Sequence, residues 1–388
     1  YVARLIAKGY KVAICEQMED PSQAKGLVKR DIIRVVTPGT VIESSMLSED
    51  KNNYLCSVYC KRTHGRWRAG ICFADISTGE AYATELNAEK IGAAIITELC
   101  RYMPSEILIC TPMLDFKDVT AYVKQHTNAL VELREDACYK DSVMQTAMTD
   151  QFGENWRETL HYEADALVPY AVAAMINYLH ETQKHGVERI RTVQNYADAQ
   201  YMRLSPVTRA NLELTETMRG REKKGTLLWV LDKTETSMGK RLLRSWIEQP
   251  LVDAEAINRR LGAVQALYTS TMARAELKEA LNHVFDIERL TTRILYGSAT
   301  PREVKALGDT CAMLQQVKAQ AAGCGAPLLT ALAEQIDPLE DILQSIATAI
   351  VDDPPASLKD GGAIRTGYNA EVDELRDIMH GGKGYLSN

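Results

Sequence analysis

The stretch GYKVAICEQMEDPSQAKGLVKRDIIRVVTPGT, residues 9–40, contains two short apolar runs rich in valine and isoleucine. The runs 12–15 and 32–36 predict two β-strands, and Thr37-Pro38-Gly39-Thr40 after the second run predicts a turn. Between the runs, Asp20-Pro21-Ser22 predicts a helix start or a turn. Together with the helical residues that precede it, this stretch predicts a small α/β segment over residues 1–42.

Residues 50–190 have the pattern of a second, larger α/β unit. Its predicted helix over 88–102 repeats apolar residues at helical spacing from Ile91 to Tyr102. We expect a strand-rich sheet with flanking helices. The predicted strands span 53–60, 67–76, 81–86 and 107–110, and a second apolar helix spans 168–182.

The remaining residues, 191–388, contain few strand signals and many helix-capping residues. Ser205-Pro206 predicts a helix start with serine as N-cap and proline at the first helical position. Thr300-Pro301-Arg302-Glu303 is a capping box, in which the threonine and glutamate side chains bond each other's backbone N–H groups. These signals predict an all-α body with long helices, among them 254–268, 300–320 and 370–379.

The composition is that of a folded globular protein. Of the 388 residues, 46% are apolar and 25% are charged, which excludes a disordered chain, a collagen and a small disulfide scaffold. The longest nearly apolar stretch, 166–176, is shorter than the roughly 20 residues that a membrane span needs. No signal peptide is visible, and because the chain begins at Tyr1 we expect it to be an internal part of a longer protein.

The formal net charge is −7 at pH 7, which argues against a uniformly basic nucleic-acid-binding surface. Two stretches are nevertheless basic. Residues 1–40 have seven Lys/Arg against four Asp/Glu, and residues 201–250 have ten against six. Lys29-Arg30, inside the first stretch, and Arg66-Trp67-Arg68, outside both, are residue types that contact phosphates. Such groups are also common on solvated surfaces.

The nine cysteines form no C-x-x-C pair and predict buried thiols in a reducing cytoplasm. Three lie in the apolar runs VAIC, GICF and ILIC, namely Cys15, Cys72 and Cys110. We predict no zinc site, because Cys56 and Cys60 lack a second pair of ligands at finger spacing. His180 and His185 are five residues apart, about 140° around a helix, so they cannot share a metal.

Motifs for catalysis are mostly missing. No G-x-x-x-x-G-K-[ST] loop occurs, since Gly239-Lys240 is followed by Arg241 and position 234 is threonine. The exception is Asp75, which sits on a predicted strand within a hairpin-then-helix order, where nucleases of the ribonuclease H type place a metal-binding aspartate. With Glu80 and Glu98 as partners it supports a second hypothesis, a metal-dependent nuclease, although residues 75–79 also have the pattern of a plain Asp-capped turn.

Residues 9–40 closely resemble the end of the mismatch-recognition domain of the MutS family of bacterial DNA mismatch repair proteins, with AICEQ, DP, KG, VKR and VVTPGT in the family's order. Later stretches are similar to the same family. SPVTRANLELTE, GTLLWVLDKT and MGKRLLRSW, at 205–216, 225–234 and 238–246, resemble the start of its helical core, and DGGAIRTGYNAEVDELR, at 360–376, resembles the approach to its DNA clamp. The resemblance covers essentially the whole chain.

The resemblance implies that residues 1–42 are the tail of the mismatch-recognition domain. It implies that 50–190 are a connector domain with a ribonuclease H-like fold lacking nuclease activity, and that 191–388 are the first part of the core with its lever helices. The full-length family closes around mismatched duplex DNA as a homodimer, uses ATP and magnesium at a distant ATPase domain, and recruits a MutL-type protein. It acts in the bacterial cytoplasm, at the nucleoid, and not at a membrane.

The same resemblance implies that the aromatic wedge and the Walker ATPase motif lie outside this chain. We therefore expect no catalytic residue, metal or cofactor here, and a role in coupling the DNA-binding end to the ATPase end. Lys29, Arg30 and Arg34, in the matched recognition-domain tail, are predicted to contact DNA phosphates. The open alternatives are the nuclease around Asp75 and a purely structural module that binds a partner through residues 50–190.

Overall fold

The computed structural model of the chain describes residues 1–19, 28–183, 187–196 and 200–387. It divides into two compact units, Tyr1–Ala254 and Glu255–Asn388. The turn or helix start predicted at Asp20-Pro21-Ser22 lies outside the described residues.

The first unit begins with a short helix, α1 (Val2–Ile6), and an antiparallel pair of strands, β1 (Val12–Gln17) and β2 (Arg30–Val36). A 3-10 turn over Pro38–Thr40 follows, so both predicted strands and the predicted turn are confirmed. Ile6, Val36 and Val41 form a buried apolar cluster in this segment.

The expectation that Cys15 is a buried thiol is wrong. Its side chain is exposed, because it alternates along β1 with the half-buried Val12 and Ile14 and lies with Ala13 on the open face of the two-stranded sheet. Cys72 and Cys110 are buried, as the apolar runs around them predict.

A six-stranded mixed sheet forms the centre of the first unit, with the strand order β7-β6-β3-β4-β5-β8. Strands β3, β4 and β5 pair antiparallel as a meander, and β6 and β7 then add parallel to β3. The short last strand adds parallel to β5 just beyond residue 190, where few strand signals were seen. The strands are β3 (Leu55–Thr63), β4 (Arg66–Asp75), β5 (Glu80–Leu86), β6 (Glu106–Ile109), β7 (Leu130–Leu133) and β8 (Gln194–Asn195).

Helices cover both faces of this sheet. The Phe73 ring of β4 stacks on Tyr102 of helix α2, whereas its neighbour Cys72 contacts Met175 of helix α6. Because consecutive strand residues point to opposite faces, α2 and α6 lie on opposite sides of the sheet. The helices of this part are α2 (Ile91–Tyr102), α3 (Lys117–His126), α4 (Asp141–Phe152), α5 (Trp156–Thr159) and α6 (Val168–Gln183).

Gly70 of β4 allows the start of α6 to approach the sheet closely. A Cβ atom at this position would lie 2.5 Å from the backbone atoms of Leu167 and Val168. The absence of a side chain at this position therefore sets the distance between the sheet and the helix that covers it.

The last part of the first unit contains only short helices, α7 (Pro206–Asn211), α8 (Leu227–Leu231) and α9 (Ser237–Glu248). Ser205 caps α7 through the Thr208 N–H at 3.0 Å, as predicted. The long helices that the sequence predicts from residue 191 onward therefore begin only after these three.

The second unit is helical, and its longest helix is α13 (Pro301–Gly323). The predicted capping box is present: Glu303 accepts from the Thr300 N–H at 2.8 Å and Thr300 accepts from the Glu303 N–H at 3.3 Å. A Cβ atom at Gly308 of α13 would lie 2.8 Å from the side chain of Ile346, so the helix and this side chain approach closely there. The other helices are α10 (Ala254–Thr269), α11 (Thr271–Asn282), α12 (Ile287–Leu295), α14 (Pro327–Gln335), α15 (Glu340–Ala349) and α16 (Ala370–Ser387).

Among the described residues, no helix combines the length and the apolar character that crossing a membrane would require.

Candidate nucleic-acid interface

Lys29 and Arg30 lie at the start of β2, and both side chains are exposed. Their backbone is fixed by pairing with β1, since the Lys29 carbonyl accepts from the Met18 N–H at 2.9 Å and Arg30 lies opposite Gln17. Neither side chain has a hydrogen-bond or ion-pair partner within the described ranges. The arrangement presents two adjacent cations to solvent from an ordered strand end, which is what a phosphate contact needs.

Arg34, the third predicted contact, lies further along β2 and only 12% of its side chain is exposed. Its guanidinium donates to the Gln183 amide oxygen at 2.7 Å, to the Glu43 carboxylate at 2.7 Å and to the Thr40 carbonyl at 2.9 Å. These bonds use donors that a phosphate would need. The geometry favours a structural role for Arg34, and its contact with DNA stays a prediction.

The Arg66-Trp67-Arg68 group lies on the β3–β4 hairpin and is only partly available for phosphate. Arg68 binds Glu85 and donates to Asp165 at 2.7 Å, and Trp67 packs edge-on against Phe116 with ring centroids 5.2 Å apart. Arg66 remains exposed at the hairpin tip.

The residues around Asp75 do not assemble a metal site. Asp75 is fully buried, and its carboxylate accepts from the Asn53 N–H at 2.9 Å, the Ser77 N–H at 2.9 Å and the Ser77 hydroxyl at 2.7 Å. Glu98 instead pairs with Arg101 at 3.1 Å. In the part of the chain that the structure describes, no three His, Cys, Asp or Glu residues could hold a metal ion together. Asp75 is the cap of a turn, and the nuclease hypothesis loses its geometric basis.

The part of the chain that the structure describes does not bring the other candidate metal ligands together into a site either. Cys56 and Cys60 are buried on β3, and burial raises the pKa of the Cys56 thiol well above its ordinary value. His180 is exposed on α6, and His185 lies outside the described residues.

Sequence reasoning missed a polar junction that fixes the segment after β2 onto the large sheet. Glu106 of β6 is fully buried and accepts from the Thr37 hydroxyl, the Tyr178 hydroxyl and, at 2.9 Å, the Gly39 N–H. The only signal in the sequence was a glutamate directly before the buried strand ILIC, and its partners lie 67 to 72 positions away.

A second polar cluster joins the loop before β3 to the segment that precedes α8 and to α9. The Asp50 carboxylate accepts from the Lys223 ammonium at 3.1 Å and the Ser48 hydroxyl at 2.6 Å, and Arg244 lies 3.8 Å away. Burial alone would raise the pKa of Asp50, but the hydrogen bonds from Ser48 and Lys223 and the nearby cations outweigh burial and lower it to about 2.

We expect Asp50→Asn to destabilise the first unit near neutral pH and to matter less in acid. The pKa of Asp50 is lower in the folded chain than its ordinary value of 3.8, so its contribution is present above about pH 4 and is lost as the pH falls towards about 2. Urea unfolding of both proteins between pH 7 and pH 2 measures this, with the exposed Asp115→Asn as control. A stability difference that is the same at every pH would contradict the prediction.

Comparison with known protein families matches nearly all of the chain to three consecutive domains of one family. MutS domain I matches residues 1–45, MutS domain II matches 53–191 and MutS domain III matches 207–381. The chain belongs to the MutS family. These matches follow the same order as the resemblance seen in the sequence.

Individual relatives agree with this membership. The DNA mismatch repair protein MutS of Ruminiclostridium cellulolyticum is 42% identical over 387 residues, which is 100% of this chain and 44% of the relative. The MutS proteins of Alkaliphilus oremlandii and Clostridium perfringens are 42% and 40% identical, again over 100% of this chain and over 44% and 41% of the relatives. The chain thus spans less than half the length of these relatives.

Proposed function

We propose that this chain acts in DNA mismatch repair as part of a longer protein that binds mismatched duplex DNA. The observation that carries the proposal is the match to MutS domains I, II and III in order along the chain, joined by relatives named DNA mismatch repair protein MutS. The role proposed for this part is to couple the DNA-binding end to the remainder of the protein. In the full-length family, deformability at a mispaired step is what selects the site.

The domain division in this proposal is the one expected from the sequence. Residues 1–42 are the tail of the mismatch-recognition domain, 50–190 the connector and 191–388 the first part of the core. A ribonuclease H-like connector is supported by the antiparallel meander β3–β5 and the parallel addition of β6 and β7. Coupling is supported by the two polar junctions, at Glu106 and at Asp50, which tie consecutive segments of the first unit together.

ATP and magnesium belong, in this proposal, to the part of the family's length that this chain does not span. Gly239 and Lys240, the pair that comes nearest to a phosphate-binding loop in the sequence, do not fit a nucleotide phosphate site. Gly239 and Lys240 lie in the first turn of α9, where the Gly239 N–H donates to the Thr236 hydroxyl at 3.0 Å, so the pair belongs to a capped helix. We therefore assign no ATP-dependent step to these residues.

The partners proposed for the whole protein are a second copy of itself and a MutL-type protein, and the proposed location is the bacterial cytoplasm at the nucleoid. The proposed DNA contacts are Lys29 and Arg30, which are exposed and adjacent. Arg34 is proposed to support them by holding β2 in place through its contacts with Glu43 and Gln183.

In a full-length protein that carries this chain, we expect Lys29→Ala/Arg30→Ala to weaken binding to matched and mismatched duplex alike. Phosphate contacts position the protein but do not read sequence, and each lost contact lowers the slope of log K against log salt by about 1, so the slope should fall by about 2. Fluorescence anisotropy over a salt series, with one matched and one mismatched duplex, measures both quantities.

The matched control is Lys117→Ala/Lys124→Ala, which removes the same charge from exposed positions on α3. This control should leave the salt slope near that of the wild type. An unchanged slope in Lys29→Ala/Arg30→Ala would exclude the contact. Absence of any preference for mismatched duplex in the wild type would exclude the proposed function itself.

A further inference from the structure

The buried carboxylate of Glu106 binds two segments that are distant from it in the sequence. One carboxylate oxygen, Oε2, accepts from the Thr37 hydroxyl and the Gly39 N–H of the turn after β2. The other, Oε1, accepts from the Tyr178 hydroxyl of α6. A strand of the large sheet, the covering helix and the end of the recognition-domain segment therefore meet at one side chain.

A fully buried carboxylate is costly unless its oxygens are hydrogen-bonded, and here three donors point at it. The turn is shaped for this contact. A Cβ atom at position 39 would lie 2.8 Å from the Glu106 Cβ and 2.9 Å from its Oε2, so glycine is needed for the N–H to reach the carboxylate. Burial and Glu106 raise the pKa of Tyr178 above its ordinary value, so its hydroxyl remains a donor.

The same segment is held on two further sides. The Gln183 amide of α6 donates to the Val35 carbonyl at 3.0 Å and accepts from Arg34 at 2.7 Å. The Asn53 amide, just before β3, donates to the Pro38 carbonyl at 2.9 Å. Residues 34–40 are thus hydrogen-bonded to β6, to α6 and to the residue just before β3. The end of β2 therefore cannot move independently of these elements.

Two cationic side chains lie next to the Tyr178 ring. The ammonium of Lys11, which directly precedes β1 and pairs with Glu132, and the Arg134 guanidinium each lie 5.2 Å from its centroid. Burial lowers the pKa of Lys11, the charge of Glu106 opposes this and that of Arg134 reinforces it. These charges partly balance the buried carboxylate and connect β1 to the same junction.

We infer that Glu106 is a positioning residue for mismatch discrimination, because it locks the end of the recognition-domain segment onto the connector sheet so that the two move as one body. The inference rests on the proposed function. A protein that discriminates through the cost of deforming DNA needs a stiff attachment for its DNA-binding domain. With a loosened attachment, that domain follows undeformed matched duplex more easily, and its preference falls although its phosphate contacts remain.

The test is Glu106→Gln in a full-length protein that carries this chain. The amide keeps the size of the side chain, but one of the two accepting oxygens becomes an NH₂ group, which cannot accept from the donors on its side. We expect the ratio of mismatched to matched affinity to fall by about threefold to tenfold, the range seen when a coupling element is altered, while affinity for matched duplex stays near that of the wild type. The control is Glu135→Gln, at an exposed position beyond β7.

If Glu106 had a purely structural role, Glu106→Gln would give a different result. It would lower the melting temperature and leave the affinity ratio unchanged when binding is measured well below that temperature, and this result would overturn the inference. Should Glu106→Gln fail to fold, Thr37→Val and Thr37→Ser take its place, since only serine keeps the hydroxyl. The ratio should fall in the valine variant and recover in the serine variant, and equal ratios in the two would overturn the inference.

The inference and the proposed function fail in distinguishable ways. A wild-type protein without mismatch preference would end the proposed function. A wild type with such preference, and a Glu106→Gln variant with the same preference, would end only the inference.

Discussion

Arg101→Met is expected to lower the free energy of unfolding of the first unit by about 3–5 kcal/mol, because it removes a buried cation that pairs with the buried carboxylate of Glu98. Both side chains of this pair are only 2% exposed, and the two charged groups lie 3.1 Å apart. The guanidinium also lies 5.4 Å from the ring centroid of Tyr196 and 5.7 Å from that of Tyr201, contacts that methionine replaces only in part. Urea unfolding followed by tryptophan fluorescence measures the effect, since all four tryptophans belong to the first unit.

The matched comparison is the double variant Glu98→Gln/Arg101→Met. Glutamine is neutral and still offers an oxygen to the Tyr196 hydroxyl, which donates to Glu98 in the wild type. Replacing both charges removes the buried carboxylate together with its partner cation, so the double variant should recover more than half of the loss. A double variant as unstable as the sum of the two single variants would show that the pair is not the source of the effect.

Gly70→Ala is expected to cost about 3 kcal/mol or to prevent folding of the first unit. The new methyl group would lie 2.5 Å from the backbone of Leu167 and Val168, and backbone atoms cannot rotate away as a side chain does. The start of α6 would have to move off the sheet and would expose part of the core. Thermal unfolding by circular dichroism and tryptophan fluorescence measures this change.

The control for this substitution is Gly262→Ala in α10, where nothing lies within 4 Å of the added Cβ atom. There the same chemical change should stabilise the helix by about 0.5–1 kcal/mol, because alanine has the higher helix propensity. If Gly70→Ala were as stable as the wild type, the close approach of α6 to β4 would not be what the packing depends on.

Local signals in the sequence predicted most of the regular structure. The capping box at Thr300 and Glu303 and the serine cap at Ser205 predicted their helices because a cap depends on residues three positions apart. The strand-like runs 53–60, 67–76 and 81–86 predicted the strands of the central meander, because a run of strand-forming residues is also a local signal. The short helices α7 to α9 differ from the long ones expected there, because helix length depends on packing as well as on caps.

The polar sites were less predictable, because their partners are far apart in the chain. Arg34 has the residue type of a phosphate contact, but its donors are occupied by Gln183, 149 positions away, and by Glu43 and Thr40. The role of Glu106 could not be predicted, because its partner Thr37 lies 69 positions before it and no sequence pattern around Thr37 indicates the contact. Lys29 and Arg30, by contrast, are exposed, as the predicted phosphate contacts require.

The order of strand lengths in the large sheet has a consequence for solubility at high concentration. The longest strands, β3 with nine residues and β4 with ten, lie in the interior, whereas the outermost strands β7 and β8 have four and two. Short outer strands offer few free backbone groups to another molecule, and Glu132 places a charge on one of them. The sheet is therefore a poor template for strand addition between molecules, and amyloid-like stacking should not begin at either of its borders.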